Sequence, residues 1–193
     1  MRKTSKKSEQ LKNSNLDDEL VLLPLDENDD LSSFNCISEE LNDFLKNDAL
    51  VDQKNLVNRT QLCFWNNKLV GFFSLAADTI ETKSVIDGIE FYQYRKYPAV
   101  KIARLGIDSR FEKQGIGTYL VQVIMGQMMS ICESIGCRYL LVDSKLESTG
   151  FYGKCGFRVA EKNKKTKFIP MYLNMQPIVA KITLPKNSLN DDQ

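Results

Sequence analysis

The chain has 193 residues, 42% of them apolar and 26% charged, the composition of a globular domain large enough to bury a substantial core. It contains no histidine, which excludes Ser-His-Asp and Cys-His catalysis and removes the commonest general base and metal ligand. Formal net charge is only +1, yet residues 1–30 carry five Lys/Arg against eight Asp/Glu while residues 31–190 carry twenty-one against fifteen. The body is therefore mildly basic, which permits an anionic cofactor or RNA and demands neither. The five cysteines, Cys36, Cys63, Cys132, Cys137 and Cys155, form no C-x-x-C pair; no metal site is expected. MRKTSKKSEQ lacks the apolar core of a secretory signal, and no stretch is long and apolar enough to span a bilayer, so a cytoplasmic protein is expected.

Residues 1–18 are polar and aperiodic and read as a disordered tail; 19–180 read as one domain and 181–193 as a flexible C-terminal tail. LVLLPL at Leu20 to Leu25 reads as a short strand, placed at an edge by Pro24. Ser38 is a candidate N-cap, followed by Glu39 and Glu40 at the positive end of a helix whose apolar face is Leu41, Phe44, Leu45 and Ala49. QLCFWN and KLVGFFSLA flank Asn66-Asn67, a tight-turn signal, and so predict a hairpin. Thr79 to Tyr97 is read as carrying a loop, and AVKIARLGI at Ala99 to Ile107 as a central strand. From Gly115 a long helix is expected, with apolar positions repeating at three and four from Ile116 to Ile131 and Gly136 as its stop. CRYLLVD at Cys137 to Asp143 reads as another strand, Glu147 to Lys154 as a short helix, and Phe157 to Ala160 and Lys167 to Asn174 as the last strands. The sum is an α/β protein with a mixed sheet flanked by helices.

The strongest chemical signal is the passage from strand through DSRFEKQGIGT into the long helix. A helix start presents unpaired amides and a partial positive charge, and Gly115 and Gly117 let backbone approach an anion closely. The product is a phosphate cradle. It is neither a P-loop, since no Gly-Lys-Ser/Thr follows, nor a dinucleotide fingerprint, since the third glycine is missing.

LGIDSRFEKQGIGTYLV resembles motif A of the GNAT (GCN5-related) N-acetyltransferases, with Glu112 where the family carries Gln or Arg. STGFYGKCGF at 148–157 is similar to the family's Phe-Tyr-containing segment, one helix and one strand further on. The resemblance implies the GNAT acyl-CoA N-acyltransferase fold, whose central mixed sheet is splayed between two strands. It also implies acetyl-CoA as co-substrate: its diphosphate on Lys113, Gln114, Gly115, Ile116, Gly117 and Thr118, its pantetheine arm along Leu105, Gly106 and Ile107, and Tyr152 beside its sulfur as the catalytic residue. Phe151 and Phe157 are assigned to the core. Lys113, Arg110 and Lys145 are the cations that would offset Glu112.

The resemblance continues through FNCISEELNDFLKNDA and PMYL and extends to the branch containing the GNAT toxins of bacterial toxin–antitoxin pairs, which acetylate the α-amine of aminoacyl-tRNA. It implies aminoacyl-tRNA as acceptor, with an antitoxin and a second copy of the chain as partners. Two basic clusters bear on this: Arg95, Lys96, Lys101, Arg104, Arg110 and Lys113, and then Arg158, Lys162, Lys164, Lys165 and Lys167 with only Glu161 opposing. No general base is marked; Glu81, Glu90 and Asp143 qualify by chemistry alone. An α-amine, with a pKa near 7.7–8.0, needs a base less than a Lys ε-amine near 10.4. Two alternatives stay open: an acetyltransferase for a small amine or a protein N-terminus, and a non-catalytic CoA-binding module.

Overall fold

A computed structural model describes residues 20–161 and 167–183. One seven-stranded sheet, in the order β1-β2-β3-β4-β5-β7-β6, organises them. The strands are β1 (Leu20–Pro24), β2 (Arg59–Trp65), β3 (Lys68–Glu81), β4 (Lys96–Ile107), β5 (Tyr139–Ser144), β6 (Arg158–Val159) and β7 (Ile169–Asn174). All neighbours run antiparallel except β4 and β5. The helices are α1 (Glu39–Asp43), α2 (Ala49–Lys54), α3 (Ile116–Ser134), α4 (Thr149–Lys154) and α5 (Gln176–Thr183); a π turn, Phe44–Asp48, joins α1 to α2.

Local chemistry accounts for most of this. β1 is the edge strand that Pro24 predicts. Asn66 and Asn67 take positive φ, 49° and 59°, and close the two-residue turn between β2 and β3, a conformation that asparagine tolerates and that suits the right-handed strand twist. α3 packs Ile116, Leu120, Val121, Ile124 and Met128 against one face of the sheet, as its period requires. The π turn and α2, through Phe44, Leu45 and Ala49, and the segment before α1, through Phe34, cover the other face at β2 and β3. Val85 and Tyr92, from the segment between β3 and β4, pack against a third cluster built on Tyr97, Tyr139 and Tyr172.

Three expectations need correction. Gly136 does not stop α3 by a left-handed turn: Ile135 caps the helix in extended geometry, and positive φ among glycines occurs only at Gly115 and Gly156 in the described residues. The left-handed C-terminal glycine is instead Gly156 after α4, with Phe157 N–H donating to Tyr152 O at 3.0 Å. α5 has little sequence signal, because it opens on Gln176 and Pro177 and runs for only eight residues. The strand expected over Phe157 to Ala160 is the two-residue β6.

Two features shape the middle of the sheet. β4 and β5 pair over only four positions, Ala99↔Tyr139 to Ile102↔Val142. Just beyond, β4 carries one residue too many against β3: Ser74 faces Arg104 and Leu75 faces Ile102, leaving Ala103 as a bulge. A bulge bends its strand, and from here β4 follows β3 as far as Ile107 while β5 follows β7 as far as Ser144. The second feature is Asp108, fully buried at the end of β4. Its carboxylate accepts from Arg110 Nε and Nη2 at 2.8 Å, Arg110 N–H at 2.9 Å and Asn35 N–H at 3.0 Å. Ser109 N–H returns a bond to Asn35 O at 2.9 Å. The segment before α1 is thereby tied to the loop before α3.

Burial pushes the Asp108 carboxyl up, but the Arg110 hydrogen bond, the two backbone amides and the Arg110 charge outweigh it and hold it below the ordinary carboxylate value. A lowered folded pKa stabilises the fold above the unfolded pKa and is lost as pH falls through the folded one. Asp108→Asn should therefore cost about 2 kcal/mol at neutral pH, a fall in Tm of roughly 4–8 °C. Denaturant melts from pH 7 down to 3 check it: the gap between wild type and variant should shrink toward acid, and a constant gap would assign the loss to packing alone.

Candidate functional site

The parting of β4 from β5 opens a cavity of about 910 Å³. β4 contributes Leu105, Gly106 and Ile107 to its wall; the loop and the start of α3 contribute Lys113, Gly115, Ile116, Gly117 and Thr118; α4 contributes Phe151 and Tyr152. Nine of the ten residues singled out from the sequence thus share one cavity. The tenth, Gln114, does not line it; it is exposed and its side chain donates to Arg110 O at 3.3 Å. The turn leaves it behind, because Lys113 (φ 60°) and Gly115 (φ 90°) both take left-handed backbone around it.

The cradle is built as helix physics demands. Gly115 caps α3 with a conformation that side chains resist, and no acidic residue occupies the first turn. The first helical bond comes from Tyr119 N–H to Gly115 O at 3.0 Å, so the amides of Ile116, Gly117 and Thr118 precede the ladder and carry the helix's partial positive charge. Glu112 and Lys113 stand at this end of the wall, and so does Phe111. Of the cations expected to offset Glu112, Arg110 is committed to Asp108, while Lys113 and Lys145 line the cavity with it. These unspent amides fit a diphosphate.

Tyr152 is buried, with its ring edge-on to Phe151 at 4.9 Å and to Phe157 at 5.5 Å. Burial first, and then the Cys155 thiol's charge, raise its phenol above the ordinary value. It stays protonated across physiological pH and can donate a hydrogen bond inside the cavity. Phe157 belongs to the core, as expected, and Phe151 packs against it.

The opposite wall was not foreseen residue by residue. Cys36, Ile37, Ser38, Glu40 and Leu41, at the entry to α1, face it, as do Lys145 and Phe168. For Cys36 to Leu41 the only sequence signal is the upstream resemblance, because tertiary contact alone brings them here; Lys145 is one of the cations expected to offset Glu112. Burial pushes the Cys36 thiol up, so it is no ready nucleophile. Lys145 Nζ donates to Ser38 Oγ at 3.2 Å. Of the three carboxylates considered as bases, Glu81 pairs with Lys83 at the surface, Glu90 is exposed outside the cavity, and only Asp143 lines it. Asp143 is bound to Lys101 at 2.6 Å, and Lys101 also reaches Asp78 at 3.7 Å.

The first basic cluster does not form a continuous patch. Strand alternation and local pairing divide the first: Lys101 and Arg110 are ion-paired, Arg104 lies over the Phe44 ring at 5.0 Å, and Arg95 and Lys96 are exposed where β4 begins. In the second, Arg158 pairs with Asp87 at 3.5 Å and Lys167 lies 5.7 Å from the Phe168 ring centroid. Lys162, Lys164 and Lys165 lie outside the described residues. No group of three Cys, Asp or Glu in the described residues could hold a metal, and no helix there is long and apolar enough to cross a membrane.

The acetyltransferase (GNAT) family model matches residues 26–157. The chain is 25% identical over 133 residues to a tRNA-acetylating toxin of Mycobacterium tuberculosis, covering 68% of this chain and 80% of that one. Its fold matches AtaT complexed with acetyl-methionyl-tRNAfMet with a TM-score of 0.76 at 23% identity, over 86% of this chain and 100% of that chain. AtaTR bound with AcCoA matches with a TM-score of 0.72 at 24% identity, over 86% and 99%.

Gly106 shows how tightly the splayed strand is fitted. A Cβ there would sit 2.6 Å from Cε1 of the buried Phe72 ring. Gly106→Ala should cost about 1–3 kcal/mol by overpacking, and Phe72→Leu in the same chain should return part of it. Thermal melts of the single and double variants check this; strictly additive losses would mean the two positions do not collide.

Proposed function

The chain belongs to the acetyltransferase (GNAT) family and is an N-acetyltransferase with acetyl-CoA as donor; on that premise we propose that its acceptor is the α-amine of aminoacyl-tRNA. It acts in the cytoplasm, where charged tRNA is found, as a translation-arresting toxin held in check by an antitoxin. The observation that carries the acceptor reading is the Lys101–Asp143 pair. The one base candidate from the sequence that lines the cavity is spent on a lysine 2.6 Å away, and the chain has no histidine. Glu40 and Glu147 also line the cavity but are exposed, and Glu112 belongs to the cradle end. Such a site suits an amine that is already neutral in part at pH 7, as an α-amine near 7.7–8.0 is. The tRNA-acetylating relative and the tRNA-bound structure of AtaT support the same acceptor, and the structure of an AtaT variant bound to the C-terminus of the antitoxin AtaR supports an antitoxin partner.

Acetyl-CoA brings the activated thioester. The amides of Gly115 to Thr118 would hold its diphosphate, and the free edge of β4 at Leu105, Gly106 and Ile107 would pair with its pantetheine arm. The α-amine attacks the acetyl carbonyl, a C–N bond forms and the C–S bond breaks. The amine's proton passes to water and the electron pair leaves on sulfur. Tyr152, kept neutral by its burial, donates a hydrogen bond to that sulfur. A thiol's reference pKa of about 8.5 lies below a phenol's of about 10, so the tyrosine stabilises the thiolate without having to surrender its proton.

Tyr152→Phe should lower kcat by about 100-fold, with acetyl-CoA affinity by calorimetry changed far less; equal turnover would reduce Tyr152 to packing.

The acceptor is tested by mass spectrometry of charged tRNA incubated with purified protein and acetyl-CoA. N-acetyl-aminoacyl-tRNA should form, and its rate should rise with pH to about 8 and then level as the α-amine becomes neutral. Unmodified charged tRNA alongside efficient acetylation of small primary amines would overturn the reading.

A further inference from the structure

Five cations line the cavity or stand at its edge on β4 and the flanking loops, and their partners divide them. Lys101 is neutralised by Asp143 and Asp78. Arg110 is locked to Asp108. Lys113 stands exposed beside the diphosphate cradle. The remaining two, Arg104 and Lys145, form no ion pair among the described residues, although both are half-buried and both line the cavity.

Their placement is complementary. Arg104 follows the Ala103 bulge on β4, and Lys145 follows the last residue of β5. They therefore stand on opposite banks of the cleft that the two strands open. Both turn toward the α1 side. Arg104 rests its guanidinium over Phe44 at 5.0 Å, with Nη1 donating to Ala103 O at 2.8 Å. Lys145 crosses to Ser38, the residue that caps α1. Ser38 makes no side-chain bond to its own helix; its hydroxyl accepts from the lysine instead.

Both cations keep donors to spend. Arg104 Nε is shut off from solvent with no hydrogen-bond partner, a position that costs free energy unless an arriving oxygen draws the side chain round. Lys145 has three donors and spends one on a neutral hydroxyl. Glu40 and Glu147 share the wall but are exposed, and no ion pair joins them to either cation. Two cations that line one cavity from different strands, with no ion pair among the described residues, suit an anion between them.

We propose that Arg104 and Lys145 form a phosphodiester-binding subsite on the α1 side of the cleft, taking the last phosphodiester of the acceptor RNA, on the 5′ side of its terminal nucleoside. The proposal rests on the aminoacyl-tRNA reading above. The cofactor also carries phosphates, but unspent helix amides already meet that need at Ile116 to Thr118, with Lys113 beside them. A phosphate at the terminal nucleotide is the anion an aminoacyl end must bring with it, one nucleoside away from the reacting amine. Lys145 would then exchange Ser38 for phosphate, and Arg104 would gain the oxygen its Nε lacks. The subsite would hold the acceptor by its backbone and so would be indifferent to the base sequence of the rest of the RNA.

The test compares two acceptors bearing the same amino acid: charged tRNA, and an aminoacyl-adenosine that has the terminal nucleoside and no phosphate. In Lys145→Gln, and in Arg104→Gln, the ratio of kcat/KM for charged tRNA to kcat/KM for the aminoacyl-adenosine should fall about tenfold. The slope of log kcat/KM against log salt for charged tRNA should flatten by about 0.7 for each lost contact with single-stranded phosphate. Lys145→Arg should restore most of both. Acetyl-CoA affinity, read by calorimetry, reports the other source of phosphate. An unchanged ratio and salt slope would overturn the subsite, and so would a parallel loss of acetyl-CoA affinity, which would assign the cations to the cofactor. Wild-type protein that acetylates aminoacyl-adenosine but not charged tRNA would overturn the aminoacyl-tRNA reading and the subsite with it. Should Arg104→Gln fail to fold for want of its contact with Phe44, Lys145→Gln decides the matter alone.

Discussion

Everything about the site depends on one strand refusing to stay paired. β4 and β5 hold together for four residues and separate, yet neither loses its outer neighbour, since β3 accompanies β4 to Ile107 and β7 accompanies β5 to Ser144. The sheet is therefore split without being weakened at its flanks. The bulge at Ala103 makes the bend local, and the inner backbone edge of β4 beyond it is left without a sheet partner. Unpaired backbone groups inside a protein are costly unless something supplies the missing strand, and an extended, amide-bearing chain is the partner such an edge accepts.

A split sheet needs its far end fixed, and Asp108 does this. Its buried carboxylate gathers donors from Arg110 and Asn35, so the last residue before the cradle loop and the segment leading into α1 share one anchor. Arg110 extends the tie to Ser33 O at 2.9 Å. The cradle loop and the segment leading into the α1 wall are therefore tied to one another. This is also why Arg110, one of the cations expected to offset Glu112, is committed to Asp108 instead.

The parts of the protein readable from sequence were those whose cause is local. Asn66-Asn67 turns because both residues accept positive φ; α3 runs where the apolar period runs; Gly115 begins it because the turn needs a left-handed residue. What could not be read were the causes that reach across the chain. The basic run from Arg95 to Lys113 looks like one patch in the sequence, but successive strand residues face opposite ways and two of its members have carboxylate partners. The α1 wall is brought to the cleft by Asn35 and Phe44, about sixty to seventy residues before the partners they meet on β4 and the loop beyond it. Gly136 misled for the complementary reason: the helix end it suggested was taken by Ile135 in extended geometry, leading directly into β5.

Charge in the cavity then acts on the chemistry as well as on binding. A positive group near an amine disfavours its ammonium form and lowers its pKa. Arg104 and Lys145, which form no ion pair among the described residues, would bias an arriving α-ammonium toward the neutral nucleophile; a phosphate seated between them would cancel part of that bias. The Lys101–Asp143 pair is close to neutral as a unit and would neither hold an ammonium strongly nor remove its proton. A lysine ε-amine starts about 2.5 pKa units higher and gains too little from two partly screened cations to react well. An α-amine starts near neutrality and needs only a small push. The absence of histidine in the chain and the unspent cations across the cleft thus favour the same class of acceptor, one whose amine is weakly basic and whose nearest anion is a phosphate.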